Sequence, residues 1–277
     1  MIRLLIGISV VYLAIVPAIA QTSINKVDFK NFTYEAHCAS ESPQKITVKD
    51  GEFAEEKQQD GYVDRFYFNV MDVSYGDLNA DGRDEAIVLT VCNTGGTGNF
   101  SEGFVFETKN GKPVLAARIP GGDRAYGGLR SAAAKNGLLV VESNDPGTDG
   151  ASCCPQLIVT ASYKVNGGRL VRSGKEVRRE IYPKERVVFA KGSSGKTFQL
   201  TIPAQEGKRL VLGARAGQTL SVSVDSDKAS LRLLEDADVK HGVNEFLAKL
   251  PSNGDYTIEL QNNEDGPVTI TLNIKIH

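Results

Sequence analysis

The chain has 277 residues, 41% of them apolar and 24% charged, with a net charge of -2 at pH 7. That is ordinary globular composition, and it supplies no basic excess to neutralise phosphates, which argues against a nucleic-acid partner. Glycine is abundant at 28 residues and tryptophan is absent, a balance that suits turn-rich β structure.

The amino end reads as an export signal. Arg3 gives the positive start, residues 4–16 are almost continuously apolar, and Pro17 precedes Ala18, Ile19 and Ala20. Small residues there suit a signal peptidase, so cleavage is expected after Ala20. The run is shorter than the ~20 residues that span a bilayer, and nothing later in the chain is apolar enough to do so. The mature protein is therefore expected in the periplasm or the medium, with no membrane span. In such a compartment the four cysteines, Cys38, Cys92, Cys153 and Cys154, read as two disulfides. A bond between neighbours closes a small ring and is set aside. The two remaining pairings each tie Cys153 and Cys154 back to Cys38 and Cys92.

From residue 21 the chain reads as short strands. Residues 26–34 alternate, as do 45–48, and 66–73 form a strong strand. Residues 86–91 are continuously apolar, as expected of a central buried strand. Residues 103–107 and 113–119 flank Asn110 and Gly111, a strong hairpin signal. Strands at 138–142, 157–163 and 169–172 follow. Residues 21–182 thus form an antiparallel β domain, and Tyr182, Pro183, Lys184 and Glu185 read as a link. Residues 186–277 lack cysteine and alternate cleanly through roughly seven or eight strands with turns every 8–12 residues, the pattern of a β-sandwich. Its last two strands, at 256–260 and 268–276, are expected to form a hairpin, and the spacing at 243–250 allows one short helix.

The sharpest motif is Asp77, Asn79, Asp81, Gly82 and Glu85. Oxygen side chains at alternate positions before a glycine bend can point inward together, and calcium takes six to eight oxygens. The Arg83 carbonyl and the Glu85 carboxylate complete the loop. The twelfth position, where a helical EF-hand needs Glu, is Val88, and the flanks are strands, so an EF-hand is excluded. Preceded by Tyr75 and Gly76, this loop resembles the calcium loops of FG-GAP and VCBS-type repeats of integrin-like propellers and bacterial surface proteins. That resemblance implies Asp77, Asn79, Asp81, Arg83 and Glu85 as ligands of a structural Ca2+. A single copy does not imply a propeller.

Two glycine-rich loops could present backbone amides to an anion or sugar. The first, residues 92–100, carries Asn93, Thr94 and Asn99. The second, residues 121–128, carries Asp123, Arg124 and Tyr126. With the calcium loop, the first resembles a group of exported bacterial proteins. Residues 190–197 fit a relaxed phosphate-loop pattern, but Thr197 opens a strand where a true P-loop opens a helix, so a hairpin turn is expected.

Catalytic signatures are scarce. The three histidines, His37, His241 and His277, sit in no known constellation, and neither Gly-x-Ser-x-Gly nor His-Glu-x-x-His occurs. In the second domain Val188 to Gly192, then Ala214 to Leu220 around Gly217, then Leu250, Pro251 and Gly254 to Ile258 form an ordered series. It resembles the bacterial pre-peptidase C-terminal sandwich and the related inhibitors of g-type lysozyme. The expectation is a non-enzymatic exported binding or adaptor protein, stabilised by calcium. Its partner would be an extracytoplasmic protein, lysozyme included, or cell-wall polysaccharide. One alternative is a periplasmic inhibitor of g-type lysozyme. Another is a cell-wall or polysaccharide hydrolase, which requires a cleft lined by two acids outside the calcium loop.

Overall fold

The structure, a computed structural model, describes residues 23–38, 40–148, 150–151 and 153–277. The export signal expected at residues 1–20 lies outside the described residues. No helix among them is long and apolar enough to cross a membrane. The protein is almost entirely β.

A short 3-10 turn, Ile24–Lys26, precedes a ribbon of β1 (Thr33–Ala36) and β2 (Gln44–Thr47). The alternation at 26–34 becomes a strand only from Thr33. Before that, the Asp28 carboxylate accepts from the Lys30 amide at 3.0 Å and folds the chain into a turn, while Phe29 is buried. Then come β3 (Glu52–Gln59), β4 (Tyr62–Gly76), β5 (Glu85–Asn93), β6 (Phe100–Lys109) and β7 (Lys112–Ile119), paired in chain order as an antiparallel meander. Asn110 and Gly111 both have positive φ, 52° and 75°, as the expected two-residue β6–β7 turn requires. A third sheet holds β8 (Leu129–Lys135), β9 (Leu138–Asp145), β10 (Leu157–Asn166), β11 (Arg169–Arg172) and β12 (Val177–Glu180).

Strand β5 lies at the centre of the meander, and its side chains alternate between two cores. Ala86, Val88 and Cys92 face Tyr34, Phe68 and Phe104 beneath the ribbon. Ile87 and Leu89 face Leu129, Leu139 and Val141 of the third sheet. Both faces are dry, which explains its unbroken apolar run. The β3–β4 ladder extends beyond this body. It runs from Glu52–Asn69 to Gln59–Tyr62, whereas β5 meets β4 only from Tyr67 onward. The outer part is an arm, with Tyr62 58% exposed near its tip.

The remaining strands are β13 (Lys184–Arg186), β14 (Gly195–Ile202), β15 (Gly207–Ala214), β16 (Thr219–Val224), β17 (Ala229–Leu233), β18 (Asp238–Gly242), β19 (Glu245–Lys249), β20 (Gly254–Asn262) and β21 (Val268–Ile276). They form two sheets, β13-β15-β20-β17 and β14-β21-β16-β19-β18. A single cluster including Leu212, Val222, Phe246, Ile258 and Leu272 lies between them. Several local expectations fail here. Strands β20 and β21 belong to opposite sheets and are not a hairpin; their apolar faces meet across the core instead of pairing edge to edge. Residues 243–250 hold β19, not a helix, because Phe246, Ala248 and Leu250 are buried at a period of two. The turn at 190–193 joins β13 to β14 in different sheets, so it is no hairpin turn either. Lys184 and Glu185, read as link, are in β13, parallel to β15.

The disulfides also differ from both favoured pairings: Cys38 bonds Cys92, and Cys153 bonds Cys154. The layers explain this. Cys38 and Cys92 share the core on the ribbon face of β5. Cys153 and Cys154 lie in the β9–β10 connection, part of the sheet packed on the opposite face. The first bond spans 54 positions of sequence, so loop-closure entropy assigns it about 4 kcal/mol, while a bond between neighbours closes almost no loop. Urea denaturation of Cys38→Ser/Cys92→Ser is expected to show about that loss, and Cys153→Ser/Cys154→Ser no more than ~0.6 kcal/mol.

Candidate functional site

The Asp77–Glu85 loop joins β4 to β5. Gly76 is required there by packing, since a β-carbon on it would lie 2.4 Å from the Ala134 side chain. Leu78 is buried in the core, and its amide donates to Glu85 Oε2 at 2.7 Å. Asp77 Oδ1 accepts from the Ala80 amide at 2.7 Å and Oδ2 from Gly82 at 2.9 Å. These amides, the Gly82 one foremost, hold the Asp77 carboxyl below the ordinary carboxylate range against partial desolvation. Asp81 is held low chiefly by the Arg83 guanidinium on Oδ2 at 2.7 Å. Glu85 is only 3% exposed. Burial pushes its carboxyl up, aided by the charges of Asp81, Asp77 and Glu107 and opposed by the Leu78 amide.

The donor set is all oxygen and fits a hard divalent ion by chemistry. Its arrangement is another matter. Among the described residues no three acids, cysteines or histidines are grouped to hold a metal. Asn79 turns Nδ2 toward Glu85 Oε1 at 3.0 Å, and Arg83 covers Asp81. Coordination would require the Asn79 amide to turn its oxygen inward and the Arg83 guanidinium to leave.

The two glycine-rich loops meet. The Asn99 amide donates to Asp123 Oδ1 at 2.8 Å, and the Arg124 amide donates to Asn99 O at 3.2 Å. The Arg124 guanidinium, together with the Asn99 amide, holds Asp123 below the ordinary range. Asn93 organises its own loop, donating from Nδ2 to Gly98 O at 2.7 Å and accepting from the Gly95 amide at 2.8 Å. Thr94 is exposed beside it, and Tyr126 is 54% exposed. The glycines of the second loop serve close backbone approach: β-carbons on Gly121 and Gly122 would lie 2.0 Å from Ser101 O and 1.9 Å from Tyr126 O. Packing alone therefore requires glycine at both positions.

Asn99 and Arg124 line a cleft of about 1080 Å³ that also takes Met71, Arg130, Glu142, Arg179 and residues 203–206. Two of these side chains are aimed there by bulges. The β4–β5 register skips Met71, and the β8–β9 register skips Arg130. A bulge leaves one residue unpaired and redirects its side chain. Arg130 donates to Asn144 Oδ1 at 3.2 Å and Ala204 O at 3.3 Å. Burial pulls its pKa down while Glu206 opposes; a guanidinium stays charged regardless. Arg179 forms a forked pair with Glu206, Nη2 to Oε1 at 2.8 Å, and lies 3.6 Å from Glu142. None of Arg130, Glu142, Arg179 or Glu206 belongs to a sequence motif. The only trace of them in the sequence is the charged Arg178-Arg179-Glu180 run just before the expected link.

No family model matches the chain, and no curated protein matches it. Among solved structures, parts of the chain are similar to three described as PliG, a periplasmic lysozyme inhibitor of g-type lysozyme. The Aeromonas hydrophila protein is 21% identical, over 34% of this chain and 96% of that one, with a TM-score of 0.31. The Salmonella Typhimurium protein gives 19%, 34%, 97% and 0.30. An Escherichia coli mutant gives 16%, 34%, 97% and 0.29. At these scores the likeness carries no conclusion about partner.

Glu206 is 6% exposed, and Arg179 is its close partner. Removing Arg179 leaves the mostly buried Glu206 charge with only the longer Arg130 contact at 3.9 Å, which compensates it poorly. Arg179→Met is therefore expected to cost about 2 kcal/mol in urea denaturation, discounted for the part-exposed arginine, and Arg179→Met/Glu206→Met less than the sum of the single changes.

Proposed function

We propose that this protein is an extracytoplasmic, non-catalytic binding protein whose cleft between Arg124, Arg130 and Arg179 receives a polar surface of a protein partner. The observation that supports this most is the state of the acids in that cleft. A polysaccharide hydrolase needs one carboxyl free to hand a proton to the substrate and a second placed across it. Four acids line the cleft: Asp72 and Asp265 are exposed to water, and the two covered ones, Glu142 and Glu206, both lie on the same Arg179 guanidinium, engaged as acceptors. These pairs hold the guanidiniums in place, and the N–H groups they leave unused suit recognition of carbonyls and carboxylates.

Calcium is the structural ion of this reading, held by Asp77, Asn79, Asp81, the Arg83 carbonyl and Glu85. It would neutralise the acids around buried Glu85 and fix the entry to β5. Its support is the oxygen donor set and the β4–β5 position of the loop. Adding calcium to chelator-treated protein is expected to raise stability by about 2.7 kcal/mol at a hundredfold excess over Kd. Asp81→Ala should abolish that gain, and Arg83→Ala, which keeps the main-chain carbonyl and removes the competing guanidinium, should tighten binding. A melting curve indifferent to calcium would remove the ion from the reading.

The finer reading is inhibition of a g-type lysozyme. Its support is the residue series of the C-terminal sandwich. Gly217, with φ of 82°, makes the turn from β15 into β16, which opens at Thr219. Gly254 opens β20, and the Tyr256 hydroxyl donates to Ser252 O at 2.9 Å. In a cell-wall clearing assay the full chain is expected to slow g-type lysozyme at micromolar concentration and leave chicken-type enzyme unaffected. Unchanged clearing at tens of micromolar would remove the inhibitor and leave the broader binding role.

A further inference from the structure

We propose that a second cavity, between β7 and the β10–β11 turn, binds an amphipathic small molecule with one carboxylate on an apolar body, of the medium-chain fatty acid class. The cavity measures about 810 Å³, within the range of small-molecule sites. Its walls are mainly apolar, with Leu115, Ile119, Pro120, Tyr163 and Leu170 among them. Here too a bulge shapes the wall. The β6–β7 register runs from Val105–Ala117 to Phe106–Leu115 and leaves Ala116 unpaired.

Arg118 is the cation that reaches furthest under cover here. Arg118 Nη1 is fully buried, and it is the one buried side-chain nitrogen or oxygen among the described residues without a hydrogen-bond partner. The nearest acid, Glu102 Oε2, lies 3.5 Å away. The other oxygen of Glu102 accepts from the His37 amide at 2.7 Å, so that carboxylate is committed to the connection between β1 and β2. Arg118 cannot easily swing away, because its guanidinium lies over the Phe104 ring, 5.3 Å from the centroid. Nη1 itself is sealed off, but the Arg118 side chain as a whole is 31% exposed, and it is this open part of the guanidinium that a ligand carboxylate would meet.

Charge and shape narrow the ligand. Arg118 and Arg169 line the cavity against the single acid Glu102, which leaves one positive charge and suits a monoanion. Strand β7 is an edge strand, yet an added peptide strand is obstructed at its centre: the β10–β11 turn lies beside Ala116 O, so that a β-carbon built on Gly168 would be in van der Waals contact with it at 3.9 Å. A compact apolar tail fits where a strand does not.

The test is isothermal titration of the full chain with dodecanoate, dodecanol and dodecyltrimethylammonium, each below its micellar concentration. Dodecanoate is expected to bind one to one at micromolar Kd, at least tenfold tighter than dodecanol, with no heat from the cation. Arg118→Met should weaken dodecanoate at least tenfold and leave dodecanol unchanged. Because Arg118 also packs on Phe104, melting curves accompany this variant. Leu115→Asp, at a rim position 38% exposed, supplies an independent change that should weaken both ligands. Absence of dodecanoate heat, equal affinity for acid and alcohol, or folded Arg118→Met and Leu115→Asp proteins that bind as the parent does would each overturn the proposal.

Discussion

Strand β5 has no face that can meet water. Ala86 and Val88 turn to one core and Ile87 and Leu89 to the other, and uncovering either face would forfeit one of the two cores of the first half. The chain must therefore supply a layer on each side. The β1–β2 ribbon and the aromatic group around Tyr34 and Phe104 provide one, and the β8–β12 sheet provides the other. The Cys38–Cys92 bond secures the first layer to β5 itself. The acidic loop is a consequence of the same placement, because Glu85 is the first residue of β5 and is carried under cover with it.

Both cavities occur where regular pairing is interrupted. Bulges at Met71 and Arg130 shape the cleft, and a bulge at Ala116 shapes the apolar cavity. Uninterrupted ladders present an alternating surface with little depth; an extra residue bends the strand and opens space beside it. The two cavities differ in what fills that space. The cleft is crossed by guanidinium–carboxylate pairs that largely satisfy one another, whereas the apolar cavity sets two guanidiniums, Arg118 and Arg169, against one acid.

The local physics of the fold was legible in the sequence. The buried run at 86–91, the Asn110-Gly111 turn, the alternating second half and the mainly β class all follow from neighbouring residues. What was not legible depends on contacts between distant segments. Strands at 256–260 and 268–276 look like a hairpin, and nothing in either says that they join opposite sheets. The cysteine pairing follows from which face of β5 each cysteine reaches, a property of layering rather than spacing. The cleft is the plainest case. Asn99, Asp123 and Arg124 stood out by their loops, but Arg130, Glu142, Arg179 and Glu206 lie in ordinary strands and turns, and only topology assembles them. The acidic loop stands between these cases: its donors were visible, while the competing Arg83 and Asn79 contacts were not.

Only the outer end of the β3–β4 arm, beyond Arg65, stands clear of all this. Beyond Phe66 it has no neighbour in β5, and the residues from Asp60 to Arg65 are exposed. Its tip supports neither core and lines neither cavity. Loop tips of that kind accept foreign sequence with little effect on the body. An epitope or a fluorescent reporter spliced between Asp60 and Gly61 would therefore ride on the molecule as a passenger, giving a handle that leaves both ligand surfaces unobstructed.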